Sequence, residues 1–268
     1  MPAIYPERLR TQTANLSELY DQPARFTHSL IDLLELYSNR THRAGQAGEP
    51  PPLLRTYNVP KPVIRQLMIE LQPLADEYPE ETIRLVDALW AEESLETRHI
   101  AAFLLGSVPP DRPEIILEII TAWLTPELEE RLISLILRLT LTRVLKENPA
   151  ALLTKIDGWL GSDKLTEQQI GLKALRSVLM SRESQDFPLF IQIITPYTRK
   201  APLQIRSDIL DVLEALAIRS PKETAYLLRQ SLNTPNNPDT ALLIRKLLPV
   251  FPTDLQESLR QALREVRE

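Results

Sequence analysis

Apolar side chains recur along this chain three or four residues apart, the spacing that lays them on one face of a helix. Ile83, Val86, Leu89 and Trp90 make one such stripe. The stretches repeat. A proline precedes or opens each of five of them, at Pro79, Pro113, Pro149, Pro188 and Pro221, at intervals of roughly 33 to 39 residues. Proline suits a first helical turn, where its missing N–H has no partner to lose. After the first three prolines a tryptophan–leucine pair arrives about three turns later, at Leu89-Trp90, Trp123-Leu124 and Trp159-Leu160. Tyr197 and Leu232 stand near the equivalent places in the last two repeats.

Between these helices the spacing predicts a second class, over Leu95–Leu105, Leu128–Leu141, Glu167–Leu179, Leu203–Leu216 and Thr240–Phe251. Several open on acidic or amide residues, as in Glu96-Thr97-Arg98, Glu129-Glu130-Arg131 and Glu167-Gln168-Gln169, which suits the positive end of the helix dipole. The connections are short, so successive helices become antiparallel neighbours. A helix pair with one apolar stripe per helix buries that stripe only by stacking on further pairs, and the stack leaves an extended concave face. The fold expected is therefore all-α: an α-α superhelix, or solenoid, of about six HEAT-like helix pairs. An irregular helical bundle is the alternative. Helices near Glu7–Tyr20 and Pro23–Ser38 precede the linker-like run Ala44-Gly45-Gln46-Ala47-Gly48-Glu49-Pro50-Pro51-Pro52. Residues 1–43 are expected to form an N-terminal capping hairpin, or else a mobile arm. Residues 44–54 would be a linker and 55–268 the repeats, all within one structural domain.

Composition narrows the chemistry. Only six glycines occur in 268 residues, too few for the tight turns of a sheet protein. There is no cysteine, which excludes disulfides, thiolate zinc sites and cysteine nucleophiles. Three scattered histidines, His28, His42 and His99, make no metal site, and no metal or other cofactor is expected. No glycine-rich phosphate loop, HExxH or Gly-x-Ser-x-Gly pattern is present. No apolar run approaches the ~18 residues of a membrane span, and the first residues lack a basic and apolar leader, so a cytoplasmic location is expected and no membrane partner.

Three stretches resemble the AlkD-like DNA alkylation repair glycosylases, a family of HEAT-like repeats. The first is Tyr57-Asn58-Val59-Pro60-Lys61-Pro62-Val63-Ile64-Arg65-Gln66-Leu67, with Asn58 where the family usually has glycine; asparagine is the next-best residue at positive φ. The second joins Ala88-Leu89-Trp90-Ala91 to Leu95-Glu96-Thr97-Arg98-His99-Ile100-Ala101-Ala102. The third runs from Asn148-Pro149 through Trp159-Leu160-Gly161-Ser162-Asp163 into Glu167-Gln168-Gln169. The resemblance covers Arg55 to Phe251 and rests mostly on packing residues. It implies a catalytic aspartate one turn after a tryptophan, with a second tryptophan and an arginine completing the lesion surface. Ungapped counting puts the aspartate position on Ser134 and the tryptophan before it on Glu130. The arginine position falls on Gln169 and the second tryptophan position on Asp211. All four differ. A serine hydroxyl cannot offset the positive charge of a departing glycosidic carbon as a carboxylate does. A one-turn slip would offer Glu130 or Glu127 as the acid.

Charge bears on the partner. Residues 76–131 hold 14 acidic and 4 basic side chains, whereas residues 132–268 hold 15 and 19. An acidic block beside the expected lesion site has the wrong sign for gripping a phosphate backbone. Arg143, Arg176, Arg206 and Arg245 lie on successive second helices and could line the concave face as a stripe. The function expected is thus a non-catalytic binding or scaffold protein taking a protein partner, or DNA, through that face. The alternatives are a DNA-binding relative that recognises distorted or branched duplex, and an active 3-methyladenine/7-methylguanine glycosylase with a rewired pocket. The oligomeric state is left open.

Overall fold

The computed structural model describes residues 4–39, 54–125, 127–181 and 187–265. The expected linker lies outside the described residues except for Leu54. Among the described residues there are fourteen α-helices and no strand. The chain divides into two compact units, 1–148 and 149–268.

In the first unit the helices are α1 (Pro6–Ser17), α2 (Pro23–Leu36), α3 (Lys61–Glu77), α4 (Pro79–Ala91), α5 (Leu95–Ser107), α6 (Pro113–Trp123) and α7 (Glu130–Glu147). α1, α3, α5 and α7 pack side by side in that order, and α2 and α4 lie against each other in a second layer, to which α6 is joined through its tryptophan. This is how antiparallel helix pairs stack in one direction in an all-α solenoid. Of the stripe predicted on α4, Val86 and Leu89 are fully buried, joined by Leu85, whereas Ile83 and Trp90 are half-buried; on α5 Ile100, Leu104 and Leu105 are fully buried. Prolines occupy the first turn of α1, α2, α3, α4 and α6. Pro73 instead sits inside α3, at an exposed position where the carbonyl it frees four residues back can face water.

Backbone approach sets the tightest contact of this unit. A Cβ built on Gly106 of α5 would overlap the carbonyl oxygen of Leu139 on α7, so these helices touch through their main chains. The segment before α3 is held as closely. Arg55 exchanges backbone hydrogen bonds with the α4–α5 turn, donating to Glu93 and accepting from Leu95. Asn58 has φ 52°, the left-handed conformation expected of it.

The second unit contains α8 (Pro149–Leu160), α9 (Leu165–Met180), α10 (Phe187–Arg199), α11 (Arg206–Arg219), α12 (Pro221–Leu232), α13 (Thr240–Leu247), a 3-10 turn at Leu248–Val250 and α14 (Thr253–Glu265). Here α9, α11 and α13 form one layer, and α10, α12 and α14 the other, with α8 against α9. α14 has no counterpart among the predicted helices. It buries Leu259 and Ala262 and packs on α12. α11 begins at Arg206, three residues later than expected, and leaves Leu203 in the preceding turn largely exposed.

Candidate functional site

The four positions that the family resemblance singles out all fall in the layer of second helices. On α7, Glu130 and Ser134 lie one turn apart on an exposed stripe that continues to Arg138. Glu127 sits in the turn before α7, exposed, and the Thr125 hydroxyl and its own backbone N–H hold its carboxyl below the usual carboxylate range. In the second unit Gln169 is half-buried on α9, its amide reaching the Gln204 carbonyl at 3.5 Å, while Asp211 is exposed on α11. The Lys173–Asp208 pair, 3.9 Å apart, sets the register of these two helices. It puts Asp211 level with Arg176, about two turns along from Gln169.

No indole stands on these helices. Trp90 closes α4 and Trp123 closes α6, and their rings stack at 4.2 Å and 5°. The Arg98 guanidinium lies 4.7 Å over Trp90. Two groups cannot share one ring face at those distances, so Arg98 covers the face that Trp123 leaves. Trp159 of α8 is buried, with the Lys155 ammonium 5.6 Å from its ring centre. All three tryptophans are spent on packing.

The four arginines separate into two kinds. Arg143 pairs with Asp76 at 2.7 Å and Glu147 at 2.9 Å, and donates to the Ser107 carbonyl at the end of α5. Arg206 donates twice to the Ala201 carbonyl and pairs with Asp239 at 2.8 Å. Both tie neighbouring helices together. Arg176 and Arg245 are exposed. Arg206 opens α11 whereas Arg176 lies two thirds along α9, so the two stand at different levels of the stack.

Several residues that the sequence did not single out do more. The Glu96 side chain, 7% exposed, accepts hydrogen bonds from the backbone N–H groups of Tyr57 at 3.1 Å and Val59 at 3.4 Å and from the Thr56 hydroxyl at 3.2 Å. It fastens the segment before α3 to the start of α5. Asp239 does the same for the loop before α11, accepting from the Ala201 N–H at 2.9 Å. Arg219 donates to the Leu179 and Ser181 carbonyls at 3.0 Å, the counterpart in the second unit of Arg143 on Ser107. No spacing rule marks such partners, because each lies 33 to 40 residues from its target. His99 on α5 is half-buried, and burial together with the charge of Arg138 pushes its imidazole below its usual range. Among the described residues no cluster of three or more His, Asp or Glu could hold a metal ion. No helix there is long and apolar enough to cross a membrane.

In the first unit Glu80, Asp87, Glu114 and Glu118 are exposed on α4 and α6 beside Arg84, while Arg131, Arg138 and Lys146 are exposed on α7 beside Glu130 and Glu147. The acidic block is thus spread over α4, α6 and the turns, and it reaches the stripe of Ser134 at Glu130.

Paired helices stacked by layer, with an exposed face on the second helices, define this as an all-α repeat protein. A family model described as DNA alkylation repair enzyme matches residues 33–242, and the chain belongs to that family. No curated protein matches it.

Proposed function

We propose that the chain is a non-catalytic member of the DNA alkylation repair family, a binding module that uses the exposed face of its second helices. One observation carries this reading. Where ungapped counting puts the family's acid, Ser134 lies between Glu130 and Arg138 on an exposed stripe, and every tryptophan of the chain is committed to packing in α4, α6 and α8. Glu130 and Arg138, each one turn from that serine, oppose one another in charge, and burial together with Arg138 favours the neutral imidazole of His99. A sugar acquiring positive charge would meet a hydroxyl and not a carboxylate at Ser134. The test is incubation of the protein with methylated duplex. No release of 3-methyladenine or 7-methylguanine above the spontaneous rate is expected. Release that falls sharply in Glu130→Gln or Glu127→Gln would overturn the reading in favour of a rewired glycosylase.

The exposed cations of the second helices support a second reading, a DNA-binding relative without bond cleavage. Exposed Arg131, Arg138 and Lys146 share one helix, and Arg176, Arg245 and Lys246 are exposed in the other unit. Clustered cations are what counterion release requires. Duplex affinity that falls steeply with salt would favour it.

A further inference from the structure

Within the first unit, three contacts fix the level of α3, α5 and α7 against one another. Gly106 abuts the Leu139 carbonyl, Arg143 reaches the Ser107 carbonyl, and the same guanidinium pairs with Asp76 at the end of α3. One turn back from Gly106 and Leu139, Phe103 falls level with Ile136, between Ser134 and Arg138 on the neighbouring helix. Two turns back from Asp76 and Ser107, Ile69 falls level with Ile100, between His99 and Phe103. Ile100 and Ile136 are buried, whereas Ile69, His99, Phe103, Ser134 and Arg138 keep part of their side chains at the surface of these three helices, and the charge of Arg138 is felt at His99. Ile69 is 54% exposed, an unusual place for an isoleucine, and Phe103 is half-buried. The patch is thus an apolar shelf beside an exposed guanidinium, with a hydroxyl one turn from it and an imidazole across from it.

Carboxylates bracket the patch. Glu130 lies two turns before Arg138, and Glu147, Glu77 and Asp76 lie at the far ends of α7 and α3. Successive phosphates of a nucleic acid strand would meet those acids on leaving the centre, whereas a ligand with one or two anionic groups beside an apolar one would not.

We propose that this face of α3, α5 and α7 docks a short acidic segment of a partner protein, its carboxylate on Arg138 and Ser134 and its apolar neighbour on Ile69 and Phe103. The proposal rests on the binding-module reading and names the partner of the same face. Arg138 supplies a bidentate cation for a carboxylate. Ser134, where the family has its acid, becomes a hydrogen-bond donor to an anion.

The probe is a blocked heptapeptide of sequence Gly-Ser-Leu-Asp-Phe-Ser-Gly, titrated into the full chain while the imidazole NMR signals of the three histidines are followed. The His99 signals are expected to move on saturation and those of His28 to stay. Arg138→Gln should weaken binding about tenfold and Ile69→Ser about three- to fivefold. Both positions are exposed, and an unchanged thermal midpoint verifies that the fold is intact. Three outcomes would overturn the proposal: the Asn-for-Asp peptide binding equally well, no ligand moving His99, or a 20-base-pair duplex moving it at lower concentration than the peptide. Base release from methylated DNA, measured separately, is what defeats the binding-module reading itself, so the two failures are distinguishable.

Discussion

A methyl group at Gly106 would occupy the space of the Leu139 carbonyl oxygen, which belongs to a packed helix and cannot swing away as a side chain can. Gly106→Ala should therefore destabilise the protein by about 1–3 kcal/mol, the cost of forced repacking in a filled core. Gly158, on the exposed side of α8, has nothing within 4 Å of the same methyl. There the change should stabilise by about 0.5–1 kcal/mol through the lower helix propensity of glycine. Urea midpoints of the two variants, moving in opposite directions, check both. Tyr20 offers a pH-dependent case. Its hydroxyl shares a 2.7 Å hydrogen bond with Thr82, and burial pushes its phenol up to about 12 from an ordinary 10. The folded protein holds this proton more tightly than the unfolded one, so the contribution is complete below pH 10 and lost as pH rises to 12. Tyr20→Phe should cost about 1 kcal/mol at pH 7. The gap between variant and parent should close above pH 10 and reverse by pH 12, because the rise from 10 to about 12 is worth about 2.7 kcal/mol, more than the gap itself; thermal midpoints across that window would record it.

Among the elements, what the sequence disclosed was whatever repeats locally. Helices α4, α6, α8, α10 and α12 begin within a residue of their prolines, because ring geometry and the missing N–H act inside one turn. The second helices have softer edges: α7 runs to Glu147, past the predicted end at Leu141, because Val144 and Leu145 continue its buried stripe. α14 went unseen because its buried side amounts to Leu259 and Ala262 among charges, and only α12 beneath it gives them a partner. Hidden too were the long-range fastenings, of which Glu96 is the plainest. It read as an ordinary first-turn acid, yet its carboxylate collects the N–H groups of a segment some forty residues earlier. Glu96→Ala would leave those donors buried without an acceptor and should cost about 2–3 kcal/mol. The loss is specific in place. Hydrogen exchange should accelerate at Tyr57 and Val59 more than in α1 or α9. Ser94→Ala, removing the side-chain cap that accepts from the Thr97 N–H at 3.2 Å, should cost about 1 kcal/mol and speed exchange in the first turn of α5 instead. The site shows the same division. The positions Glu130 and Ser134 could be reached by counting along the chain, whereas the charge of Arg138 felt at His99 could not, since the two stand on different helices.

For the molecule as a whole, the deciding quantity is how many phosphates the second helices can neutralise. The net charge is −5 and the isoelectric point about 5.5, so long-range attraction to a polyanion is absent at neutral pH. Local cations are then the only source of affinity. In the first unit Arg143 is consumed by Asp76 and Glu147, and the exposed Arg131, Arg138 and Lys146 share α7 with the exposed acids Glu130 and Glu147. In the second, Arg206 is consumed by Asp239, and Asp211 stands at the level of Arg176. A surface of this kind neutralises one or two phosphates at a time. The logarithm of duplex affinity should accordingly fall against the logarithm of salt with a slope of about −1 to −2, and the chain should leave a heparin column below about 0.15 M salt. A slope of about −4 or steeper would count more neutralised phosphates than cations interrupted by acids in this way supply. It would mean that the second helices bind a nucleic acid backbone after all, with the acids of α4 and α6 kept to the side that the duplex does not touch.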